Sequence, residues 1–172
     1  MRKYVLPLLF IFVFVYESLF LEILPGSLVG GDRILVPRFL FIMLVLFSIY
    51  GKKNYAYVLG FVFGLLFDVV YTGIIGIYLF MFPLITYIIS SILKFIQTNI
   101  VVSGIASLIA VCLLELGVYE MNFLIRITDM PFGYFSEYRL LPTVILNAIF
   151  IILFIYPLKR FFEKYLAEAE KE

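Results

Sequence analysis

The sequence contains no histidine and no tryptophan, one cysteine, and charged side chains at only 15% of positions. Without histidine it lacks the commonest general base and metal ligand, and Ser-His or Cys-His nucleophile pairs are excluded. Cys112 alone can form neither an internal disulfide nor a cysteine metal cluster. A formal net charge of +1 does not point to nucleic acid. None of these absences excludes a lipid environment, and what is present requires one. Hydrophobic residues make up 65% of the chain, and the mean hydropathy is +1.14. Apolar runs long enough for a bilayer recur along the whole length.

The start, MRKYVLPLLFIFVFVYESLFLEIL, has two basic residues and then an apolar run, as a signal peptide does. The run continues for a bilayer's width with no A-x-A-like cleavage site after it, so a retained first helix is expected. Six spans follow from the apolar runs and the Gly, Pro and charged breaks between them, at about 4–24, 37–50, 55–71, 74–93, 100–124 and 140–158. The expected architecture is an all-α six-transmembrane-helix bundle over 1–158. The second and third spans are short for a bilayer. A cytoplasmic amphipathic tail is expected over 159–172, with Phe161, Phe162, Tyr165, Leu166 and Ala169 near one face.

Placing the N-terminus inside puts nine basic residues (Arg2, Lys3, Lys52, Lys53, Lys94, Lys159, Arg160, Lys164, Lys171) on the cytoplasmic side. Four remain outside: Arg33, Arg38, Arg126 and Arg139. The excess predicts that both termini are cytoplasmic.

Against this background the stretch GFVFGLLFDVVYTGIIGIY is unusual, because Asp68 stands alone in an apolar run. A carboxylate in hydrocarbon costs on the order of 2.5–3.5 kcal/mol even on lenient scales. Gly60, Gly64 and Asp68 are four apart and share one helix face, where G-x-x-x-G permits close approach of a second helix. A tight basic turn at Lys52 and Lys53 folds the second span back on the third, bringing Arg38 and Asp68 to similar depth. An Arg38–Asp68 ion pair is therefore expected. Glu17, Glu115 and Asn147 are candidates for the same polar layer. Glu17, Glu22 and Glu120 can equally be satisfied near lipid headgroups.

YGKKNYAYVLGFVFGLLFDVVYTGIIGIY resembles the hallmark region of the rod shape-determining protein MreD family, a pattern G-F-x-x-G-x-x-x-D followed by a small-residue turn and I-G. Gly60, Phe61, Gly64, Asp68 and Gly76 supply it. ESLF, LVPRFL, VCLLE and LLPTVILN extend the resemblance over nearly the whole chain. It implies a non-enzymatic subunit of the bacterial cell-elongation machinery, without cofactor, in the cytoplasmic membrane. Implied partners are the bitopic protein MreC, MreB filaments acting indirectly, RodA and an elongation-class transpeptidase. The family is similar in architecture to the substrate-binding subunits of energy-coupling-factor vitamin transporters.

Scaffolding is thus the expected function, with the loop 126–138 (Phe132, Tyr134, Phe135, Tyr138) and the tail as candidate contact segments. The alternative is a solute-binding transport subunit using Glu17, Arg38, Asp68 and Glu115. An intramembrane hydrolase would need a second carboxylate beside Asp68, whereas Asp32 and Asp129 lie in loops.

Overall fold

The central helix of the bundle is also the shortest of its main helices among the described residues. In the computed structural model, which describes residues 5–23 and 33–169, α2 (Phe39–Tyr50) is 12 residues long. That is about 18 Å of helix, well short of a bilayer core. Its residues Phe39 to Ser48 are all buried, as expected of a helix apolar on every side. Five helices surround it: α1 (Val5–Ile23), α3 (Lys53–Phe67, extended by the π-helical turn Asp68–Thr72), α4 (Ile77–Ile92), α5 (Ile100–Leu124) and α6. The last is built from Phe132–Phe135, the π-helical turn Ser136–Leu140 and Leu141–Ala169.

Among the described residues, four stretches are long and apolar enough to cross a membrane: Lys53–Thr72, Ile77–Phe95, Ile100–Leu124 and Phe132–Glu168. The apolar stretches Val5–Phe20 and Phe39–Tyr50 are shorter. The outer faces of the sheath carry exposed aliphatic residues at helical spacing, such as Val101, Ile105 and Ile109 on α5 and Ile145, Ile149 and Ile152 on α6. Such faces suit lipid contact.

Local chemistry sets the ends. The backbone N–H of Gly51 donates to Phe47 O and closes α2. Asn99 caps α5, its side-chain oxygen accepting from Val102 N at 2.8 Å. Gly73 (φ +67°) closes the wide turn after α3 by donating to Asp68 O, a left-handed conformation that favours glycine.

The six expected helices are present, four of them long and apolar enough to cross a membrane, with three differences from expectation. The third is not short, because the π-helical turn carries α3 on to Thr72. Pro37 lies before α2 rather than in its first turn, which begins after Arg38. The loop expected over 126–138 becomes helical from Phe132, because Pro131 suits a helix start and Phe135 is buried against Tyr119, ring centroids 4.2 Å apart. Beyond Leu158, α6 runs on unbroken to Ala169, with Phe162 buried against Phe47.

A buried polar layer at two helix starts

Two helices, α2 and α4, begin inside the bundle, and the first N–H groups of such helices have no partner of their own. In hydrocarbon those groups must be satisfied by protein. The buried acids and amides do this.

At α4 the partner is Asp68, fully buried on α3. Its Oδ1 accepts from Tyr78 N at 2.8 Å, and its Oδ2 accepts from Gly76 N at 2.7 Å and Leu79 N at 3.0 Å. The carboxylate thus closes the α3–α4 hairpin and meets the positive end of the α4 dipole. The glycines make this close packing possible. A Cβ on Gly64 would meet the Tyr78 carbonyl and lie 2.9 Å from Leu79 Cα, whereas one on Gly60 would lie 3.3 Å from Pro83 Cα. Gly76 adopts φ +128° at the start of α4.

At α2 the backbone partners come from two other helices, and a third holds the Arg38 side chain. Leu40 N donates to Glu17 Oε2 of α1 at 3.0 Å, and Arg38 N donates to Asn147 Oδ1 of α6 at 2.8 Å. The amide of Asn147 in turn donates to Val36 O and Thr143 O. The Arg38 side chain turns toward α5, where Nε meets Glu115 Oε1 at 2.6 Å. The other oxygen of Glu115 accepts from Arg139 Nε at 3.2 Å. Glu17, Arg38, Glu115 and Asn147 are all buried.

The expected Arg38–Asp68 pair does not form. The two residues do approach the same layer, but each has a better partner. Three backbone donors in the adjacent turn saturate Asp68, and Arg38 finds a carboxylate on α5. Tyr78 stands between them, its hydroxyl accepting from Arg38 Nη2 at 2.7 Å, its ring 5.0 Å from the guanidinium carbon and its N–H on Asp68.

Glu17, Glu115 and Asn147 join Arg38 in one network, while Glu120 is exposed and the side chain of Glu22 lies outside the described residues. Sequence reasoning missed Tyr78, Arg139 and Thr143. Nothing marks Tyr78 among thirteen tyrosines. Arg139 reads as an ordinary flanking charge. Among the described residues no group of three or more Cys, Asp or Glu is arranged to hold a metal ion.

The family model for the rod shape-determining protein MreD matches residues 2–165. The chain belongs to the MreD family. It is 34% identical over 172 residues to the rod shape-determining protein MreD of Bacillus subtilis (strain 168), covering all of both chains. It is also 33% identical over 132 residues to the cell shape-determining protein MreD of Streptococcus pneumoniae (strain ATCC BAA-255 / R6), 76% of this chain and 77% of that one. No solved structure matches. Membership in the MreD family makes this a membrane protein with a role in cell shape.

Proposed function

We propose that the chain is a non-catalytic scaffold of the bacterial cell-elongation complex. It sits in the cytoplasmic membrane with both termini inside, as the distribution of basic residues favours. Its direct partner is a bitopic protein of the MreC type, through which MreB filaments inside are linked to RodA and an elongation-class transpeptidase outside.

The observation that carries the scaffold reading is how two of the buried carboxylates, Asp68 and Glu115, are used. Asp68 accepts three backbone hydrogen bonds, and Glu115 holds two arginines. A general base needs a free oxygen within reach of substrate. These side chains instead fix helix starts and the register between helices, as a rigid platform for a partner helix requires.

Crosslinking in cells, mild-detergent purification of the tagged chain and mass spectrometry test the reading. The expected result is co-recovery of a bitopic cell-shape protein with wall synthases. Recovery of an ATPase pair with a coupling membrane subunit would instead identify a solute carrier.

A further inference from the structure

Beside the Arg38–Glu115 pair lies a cavity of about 370 Å³, at the small end of the range for ligand sites, roughly 300–1,000 Å³. Its wall includes Glu17, Arg38, Tyr78, Asn122, Ile127 and Arg139. Several of these polar groups have unused hydrogen-bonding capacity among the described residues. Arg38 spends Nε on Glu115 and Nη2 on Tyr78, leaving Nη1. Arg139 spends Nε alone, leaving both terminal nitrogens. The Tyr78 hydroxyl accepts from Arg38 and has its own proton to donate. One oxygen of Glu17 takes the Leu40 N–H, leaving the other. Arg38 and Glu17 are only 3% and 2% exposed, so a ligand held by them would be largely shielded from water.

We infer that this cavity binds a small phosphate-bearing zwitterion of the phosphoethanolamine type. Arg38, Arg139 and Tyr78 offer three sets of donors from three helices. That number matches the outward oxygens of a tetrahedral phosphate better than the two of a carboxylate, and a guanidinium fork suits either in geometry. The spare oxygen of Glu17 accepts from the ligand's ammonium group. The phosphate and ammonium groups are shared by a soluble phosphomonoester, which presents three free oxygens, and by a phospholipid headgroup, a diester that presents two. The assignment does not depend on the scaffold role.

The test uses the full chain, purified in dodecyl maltoside and stripped of lipid. Binding is read by native mass spectrometry and thermal unfolding with soluble O-phosphoethanolamine in one arm and dioleoyl phosphatidylethanolamine in the other. Saturable one-to-one binding of the soluble compound supports the site with a soluble ligand, and binding of the lipid alone supports it with a headgroup. In either case Arg139→Gln should weaken binding by about tenfold or more, the scale of a lost charge-assisted hydrogen bond. Ile127→Trp, at an exposed position on the loop after α5, narrows the cavity without altering helix packing and should weaken binding as much. If Arg139→Gln does not fold, Ile127→Trp decides. A cavity that binds neither compound, or binding unchanged in a folded variant, overturns the inference.

Discussion

The two helix starts buried in the bundle solve one problem in opposite ways. The start of α4 is satisfied within a single hairpin, by a carboxylate eight to eleven residues earlier in the chain. The start of α2 is satisfied by residues 23 to 109 positions away, spread over α1, α5 and α6. The first arrangement is local, so it can form with the α3–α4 hairpin alone. The second exists only when nearly the whole bundle is assembled. The bundle therefore has one self-contained polar joint and one that reports on global assembly.

Glu115→Ala should have the largest effect, because it strands Arg38 and leaves Arg139 without its partner. Loss of one member of a buried pair costs about 3–5 kcal/mol, to be read as the shift in thermal unfolding in detergent. Arg38→Met together with Glu115→Leu should recover part of that loss. Asp68→Ala should cost about 3 kcal/mol, taking the low end of about 1 kcal/mol for each of three backbone donors left without an acceptor. Adding Arg38→Ala should give no rescue, and recovery in that double mutant would restore the direct pair that the geometry excludes. Gly64→Ala should cost about 2 kcal/mol, because its Cβ meets backbone that cannot move aside. Gly60→Ala should cost less than about 1 kcal/mol, and equal losses would mean that the helices cross less closely at Gly64 than its 2.9 Å approach to Leu79 Cα requires. Asn99→Ala removes an ordinary cap at a water-accessible end and should cost about 1 kcal/mol. It provides the baseline against which the two buried starts are compared.

What could be read in the sequence follows the same division. Runs of apolar residues located six helices, and the spacing of Gly60, Gly64 and Asp68 put one face of α3 against a neighbour. Those signals are local. The identity of the neighbour was not legible, because charge and depth alone favoured Arg38, and depth is shared by every residue of a layer. Backbone N–H groups carry no letter in a sequence, so the true partners of Asp68 could be found only by asking where α4 begins. Gly73 and Gly76 marked that place. Glu115 and Asn147 could be named as buried polar groups, yet their pairing depends on how α5 and α6 rotate about their axes. The helical start at Phe132 was missed because the aromatic residues around Phe135 resemble loop or interface residues until Tyr119 is placed beside them.

The position of α2 also has a consequence in time. A chain is made from its N-terminus, so the helix at the centre of the finished bundle leaves the ribosome before most of the helices that enclose it. Glu115 follows Arg38 by 77 residues, an interval of roughly 4–15 seconds at bacterial synthesis rates of about 5–20 residues per second. Asn147 comes later still. Throughout that wait, of the side chains that finally hold the start of α2, only Glu17 has already been made. It is the first of them able to meet a nascent α2, and so the one placed to keep that short helix in register until the rest of the sheath arrives.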